Sequence, residues 1–358
     1  MVLRYLAAFC GFLFDEQTRG LMNCTGVLKE LITNRGFLVA VGSQAVASIF
    51  AAILGAAVLK KCSNLYFHIN CKVLIITTVS LNIVHSITIA SLQSLQVVRY
   101  ILYSDPCDAA LSSIFCLCLR FPSLMCLVGF ATLQFGMVAE RTFALWKRQE
   151  YEHYGFRLGT LIVCSCMLIS IVSCIWVMTN IDLTTPTVYC SSSTVETAER
   201  LTTLCFMLCG IDVMSLLGLA LLHSSNASAI KRKVFDLRSS YQLRENAAVI
   251  RLLLPLTIFE TFCHFIFSTA GGVIQLFQSH FSYVMYKTLF AVAYIVPYYA
   301  VVSPILLWLI IRRSMLKCGN GTDVKRNTPR KEMLLQIACI VSEASIQLSF
   351  SNHQLINF

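Results

Sequence analysis

Phe135-Gly-Met-Val-Ala-Glu140-Arg141-Thr-Phe-Ala-Leu-Trp146 closes a long apolar run with an acid directly followed by a base. It then gives way to the polar segment Lys147-Arg-Gln-Glu-Tyr-Glu-His-Tyr154. A charge left dry inside a bilayer is costly, and the C-terminal end of a helix dipole favours a cation. Glu140-Arg141 therefore reads as a placed ion pair at the exit of a membrane helix. The competing reading is a first interfacial charge pair whose arginine snorkels to the headgroups. The remainder of the chain separates the two.

Working outward, composition sets the class. Of 358 residues, 57% are hydrophobic and 13% charged, too much apolar surface for one soluble domain to hide, so the chain reads as polytopic in the lipid bilayer. The net charge of +10 is spread in short basic clusters between apolar runs, which marks topology and not nucleic acid as a partner. Seventeen cysteines invite a disulfide or metal framework. Cys126, Cys164, Cys166, Cys174 and Cys263, however, lie inside apolar runs, where cysteine is a small apolar filler, and no CxxC pair with zinc spacing occurs. No metal and no cofactor is expected.

Seven apolar runs, approximately 37–59, 69–92, 114–139, 158–179, 201–223, 247–274 and 283–311, are each long enough to cross a ~30 Å core as a helix. They define an all-α seven-helix bundle over residues 37–311, preceded by a segment 1–36 and followed by a tail 312–358. The first, third and fifth connections and the tail carry the lysine and arginine clusters, for example Lys231, Arg232 and Lys233. The positive-inside rule then places the N-terminus outside and the tail in the cytosol. On that orientation the sequon at Asn23 is open to glycosylation, whereas those at Asn226 and Asn320 face the cytosol. Residues 1–14 are expected to be retained, and the apolar patch Met333 to Val341 is too short to span and suits the membrane surface.

Polar side chains inside the runs are the pointers to a binding site. They are Asn82 and His85 in the second run, Arg120 in the third, Asp212 in the fifth, Glu260 and His264 one turn apart in the sixth, and Tyr294 in the seventh. One cation and two carboxylates predict an internal ion pair. Equally open is a bland arrangement in which Arg120 snorkels outward and Asp212 is satisfied within the bundle. Residues 241–251 lack Pro and Gly, so the sixth helix is expected to extend beyond the membrane, with Arg244 and Glu245 on that extension.

Seven helices with an acid-arginine pair ending the third resemble rhodopsin-like G-protein-coupled receptors. The resemblance is partial: Thr142 follows the arginine, and the sixth and seventh runs lack Cys-Trp-x-Pro and Asn-Pro-x-x-Tyr. Further pieces are Cys116 with Arg120, Glu140-Arg141-Thr-Phe-Ala144, Tyr151-Glu-His-Tyr-Gly155 and Tyr189-Cys190. Tyr241-Gln-Leu-Arg-Glu-Asn246, Arg251-Leu-Leu-Leu-Pro255 and Pro297-Tyr-Tyr299 follow. In that order they resemble the nematode serpentine chemoreceptors of the Sra superfamily, most nearly class alpha/beta (Srab).

The resemblance implies a plasma-membrane chemosensory receptor, sited in the sensory cilium of chemosensory neurons, with a small external chemical bound in the outer half of the bundle. Glu140 and Arg141 would form its activation switch, and Arg141, Arg244 and Glu245 would face a heterotrimeric G protein. It also implies a Cys116–Cys190 disulfide, with Cys107 as another partner for Cys116 and free thiols as the remaining possibility. Catalysis by this chain is not expected. A ligand-gated channel or small-solute transporter is the alternative, disfavoured by loop charge and by the lack of internal repeats.

Overall fold

The computed structural model describes residues 26–62, 68–103, 111–147, 150–151, 155–179, 181, 183, 189–190, 197–231 and 237–319. After a short leading helix Gly26–Thr33 come α1 Arg35–Cys62, α2 Ile69–Leu102, α3 Ser113–Trp146, α4 Arg157–Met178, α5 Ala198–Lys231 and α6 Leu237–Leu276. The last span is split into α7 Tyr283–Ala293 and α8 Val296–Gly319. Asn23, Cys107, Asn320 and the patch 333–341 lie outside the described residues.

Among the described residues seven spans are long and apolar enough to cross a membrane. Several helices exceed the bilayer's need of about 20 residues. At 40 residues, α6 is about 60 Å long, so roughly half of it projects beyond a hydrocarbon core. The bundle is a seven-transmembrane ring: α1 packs on α2 and α8, α2 on α3, α5 on α6, and α6 on α8. Helix α3 contacts α2, α4, α5 and α6, and so runs through the middle. Burial agrees, with 56% of its apolar window enclosed against 22% for α4. A helix that is apolar all round belongs in such a centre.

Outward faces are apolar too, as lipid requires: Leu161, Leu168 and Val172 on α4, and Phe206, Met214 and Leu221 on α5, are exposed. Cys126, Cys166, Cys174 and Cys263 are buried fillers, whereas Cys164 points out of the bundle, because α4 offers only a narrow inward stripe. Asn226 is buried and donates to the Leu243 carbonyl at 3.0 Å, tying α5 to α6.

The single long seventh run of the sequence is broken at Tyr294 and Ile295. Pro297 has no N–H for the carbonyl four residues back, that of Ala293, and its ring crowds that carbonyl, so α7 ends at Ala293 and Pro297 sits in the first turn of α8, where its missing N–H costs nothing. A helix end in lipid leaves orphan carbonyls. Gln44 of α1 satisfies them, its Nε2 donating to Ala291 O at 2.6 Å and Tyr294 O at 3.3 Å. Gln93 of α2 in turn donates to Gln44 Oε1 at 2.7 Å, so one proline organises a polar contact across three elements.

Candidate functional site

At one end of the bundle α3 delivers Glu140 and Arg141 to a point sealed from solvent, with Arg141 0% and Glu140 1% exposed. Adjacent residues on a helix do not normally meet, yet both point into the same crevice. The guanidinium takes a two-pronged grip on the carboxylate, Nε to Oε2 and Nη2 to Oε1, each 2.5 Å. Such a fork is the strong geometry for an arginine-carboxylate pair. An unpaired arginine here would be prohibitively costly, so its remaining donors recruit the neighbours.

Nη2 also donates to Tyr151 Oη at 3.0 Å, Nη1 donates to Asn246 Oδ1 at 3.2 Å, and Nη1 lies 3.6 Å from Glu245 Oε1. The Tyr151 hydroxyl donates to Glu140 Oε1. Burial pushes the Tyr151 phenol above its ordinary range, against the pull of Arg141, so it stays protonated and able to donate.

A second layer fixes these groups. Asn70 at the start of α2 donates to Tyr151 Oη at 3.4 Å and accepts from the Gly159 N–H at 2.9 Å. Glu245 accepts from the His68 N–H at 2.7 Å. Gly159 matters for its size: a Cβ there would stand 2.8 Å from Asn70 Cα and 2.9 Å from its carbonyl oxygen. Arg141 is thus the shared partner of α3, α6 and the α3–α4 connection, held from behind by α2 and α4.

Glu245 and Arg244, grouped in the sequence reading as G-protein-facing, have different surroundings. Glu245 is 4% exposed and aimed at Arg141, while Arg244, about 100° further round α6, is half-buried. Asn70, Tyr151 and Asn246 were not singled out in advance. Asn246 and Tyr151 stand inside motifs quoted for the resemblance, which was the available signal.

At the other end Cys116 and Cys190 form a disulfide with a Cα–Cα distance of 5.3 Å, pinning the α4–α5 connection to α3. The pinned segment covers Arg120, whose Nε donates to the Cys190 carbonyl at 2.7 Å. Tyr189 lies beside it, packed edge-on to Phe37 at 5.0 Å, and burial raises its phenol despite the nearby guanidinium. Deeper in, His85 Nε2 lies 3.0 Å from Tyr294 Oη, and Asn82 Oδ1 accepts from Ser86.

His85, Gln93 and Gln96 share one buried face of α2, at spacings of eight and three residues. His85 Nδ1, Gln93 Oε1 and both side-chain atoms of Gln96 have no hydrogen-bond partner among the described residues. These amides were missed, although their helical phase with His85 was readable.

The expected ion pair between Arg120 and the carboxylates does not form among the described residues. Asp212 instead meets His264, Oδ2 to Nδ1 at 2.5 Å, and Glu260 is bonded by Tyr299. Level decides this. Tyr299 and His264 pack around the depth of Phe130, and ten residues of α3 separate Phe130 from Arg120, about 15 Å. Of the seven sequence candidates, Asp212, Glu260 and His264 form one cluster and His85 meets Tyr294, while His85 also packs against Phe130 at 5.9 Å and so stands between that cluster and the Arg120 end.

Comparison with known proteins follows the same lines. The profile of the serpentine type 7TM GPCR receptor class ab chemoreceptor family matches residues 23–335. Serpentine receptor class alpha-10 of Caenorhabditis briggsae is 24% identical over 270 residues, 74% of this chain and 80% of that protein. Serpentine receptor class beta-17 of Caenorhabditis elegans is 21% identical, covering 72% of each chain. Serpentine receptor class alpha/beta-14 of Caenorhabditis elegans is 26% identical over 163 residues, 42% of this chain and 40% of that protein. With seven membrane helices and a family match running through nearly all of them, this chain belongs to the serpentine class ab family of seven-transmembrane G-protein-coupled chemoreceptors, multi-pass proteins of the plasma membrane.

Proposed function

We propose that this receptor binds a small external chemical in the half of the bundle capped by Cys190 and couples that event to a heterotrimeric G protein at the Arg141 end. The observation that carries the reading is the sharing of buried Arg141 between Glu140 of α3 and Glu245 and Asn246 of α6. A group with partners on two helices holds them together, and separating the helices requires it to change partners. Ligand that binds the separated state more tightly shifts the population towards it.

The N-terminus is external on this reading, consistent with Lys60 and Lys61 ending α1 and Lys231 ending α5 at the Arg141 end. Asn23 is then a glycosylation site and the sensory cilium the expected location. Arg120, His85 and Tyr294, with the unused amide atoms of Gln93 and Gln96, suit a ligand that both donates and accepts hydrogen bonds. Asn82 lies one turn from Ser86 and His85 on the same helix and completes the polar face. Chemistry on nucleotide would belong to the G protein, not to this chain.

The test is G-protein activation in cells expressing the chain, screened against pooled small odorants, with Arg141→Ala beside it and surface labelling of the N-terminus. A ligand-dependent signal that is lost in Arg141→Ala, with the N-terminus accessible, is expected. A ligand-gated current independent of G protein, or an internal N-terminus, would overturn the reading in favour of a channel.

A further inference from the structure

Asp212 on α5 and Glu260 and His264 on α6 are 0%, 5% and 3% exposed, and one ligand atom from each lies within 4.8 Å of the other two. Glu260 and His264 reach one spot because they are four residues apart on one helix; Asp212 arrives from 52 residues earlier than His264. The cluster is under-satisfied. Asp212 Oδ1, Glu260 Oε1 and His264 Nε2 have no hydrogen-bond partner among the described residues.

With both carboxylates ionised and the imidazole neutral the three groups would carry −2 at mid-membrane depth, a charge that protons or a bound cation must cancel. The cluster's partners among the described residues are the Tyr299 hydroxyl on Glu260 and the internal Asp212–His264 contact. Buried charge is cancelled by a proton, an opposite charge or a metal, and a proton on one oxygen would still leave the other unused electron pairs without a partner. A divalent ion matches both the charge and the set of unused electron pairs.

We infer that Asp212, Glu260 and His264 form a binding site for one divalent transition-metal ion of the Zn²⁺ type, joining α5 to α6. Imidazole nitrogen with carboxylate oxygen suits such an ion better than Ca²⁺ or Mg²⁺, which take six or more oxygens or keep their waters. Three protein ligands leave one position of a tetrahedral ion for water. Neighbouring ligand atoms of a tetrahedral ion with ~2.1 Å bonds stand ~3.4 Å apart, so atoms within 4.8 Å of one another reach that spacing by side-chain rotation. The His264 ring nitrogen left bare of its proton is the ligand atom. The inference does not rest on odorant binding or G-protein coupling.

The experiment uses the full chain in lipid nanodiscs, stripped with chelator and titrated with Zn²⁺ alone, then Co²⁺ alone as a coloured stand-in. Expected are one ion per chain, a rise in unfolding temperature, and a cobalt spectrum of nitrogen and oxygen ligation without thiolate charge-transfer bands. Glu260→Gln and His264→Asn keep side-chain shape and should each weaken binding at least about 100-fold, more than the 10- to 100-fold typical of losing an outer partner. Asp212→Asn serves in place of either variant that fails to fold. Absence of saturable binding, thiolate bands that mark a cysteine site, or unchanged affinity in the folded variants would each overturn the inference.

Discussion

Glu245→Gln isolates the electrostatic part of the α3–α6 connection. The amide oxygen still accepts from the His68 N–H, and Arg141 keeps Glu140, Tyr151 and Asn246; only the charge 3.6 Å from Nη1 is removed. Coulomb attraction at that distance is about 4.6 kcal/mol with an effective dielectric of 20, and it is offset by the cost of dehydrating both groups. Hydrogen bonds to charged partners contribute about 1.5–3 kcal/mol net. If the contact exists only while α6 is packed against α3, that sum enters the equilibrium between closed and open helices directly. The open population should rise roughly 10- to 150-fold until it saturates.

The assay is nucleotide exchange on co-expressed heterotrimeric G protein without ligand, normalised to receptor at the surface, with the unfolding temperature measured on purified protein. Raised basal exchange with a lowered unfolding temperature is expected. A variant that loses stability while basal exchange stays flat would show that the contact supports the fold without gating it. Unchanged values in both measurements would refute the energetic argument altogether.

Two further perturbations address the scaffold. Gly159→Ala forces a methyl group onto the Asn70 backbone, at 2.8 and 2.9 Å, where neither helix can yield cheaply. A loss of about 1–3 kcal/mol is expected, read as reduced surface expression and a lower unfolding temperature, and Gly159→Ser should be no better tolerated. Gln44→Ala removes the side-chain donor shared by the Ala291 and Tyr294 carbonyls and leaves Ala291 O only the Tyr294 N–H at 3.3 Å, so a loss of about 1–3 kcal/mol is expected in detergent unfolding. Gln44→Glu, which accepts but does not donate when ionised, should fail equally, and recovery in that variant would contradict the assignment.

Hydropathy alone fixes seven spans, because lipid leaves backbone no alternative to helix over ~20 apolar residues. Glu140-Arg141 was visible as well, as an anomaly against an apolar background, and Cys116 and Tyr189-Cys190 were visible through the family resemblance. Partners were another matter. Arg141 is 105 residues from Asn246, and Asp212 is 52 from His264, and in an all-apolar bundle the period of a helix does not say which face meets which neighbour. Hence Arg120 was expected beside the carboxylates, and only packing shows it one level away, bonded to the Cys190 carbonyl. The partner of Glu245 was hidden for a related reason: nothing local in the sixth run says that a buried guanidinium stands opposite it. Gln44 and Gln93 are ordinary uncharged side chains until the break before Pro297 gives two carbonyls a donor from Gln44. The sequence by itself determined that this chain spans the membrane seven times and carries a receptor's acid-arginine pair, because burial in lipid is a local property of each segment. Tertiary structure decided which polar groups share a site, because in lipid each must find its partner on another helix, at a depth and rotation set by the packing of the whole bundle.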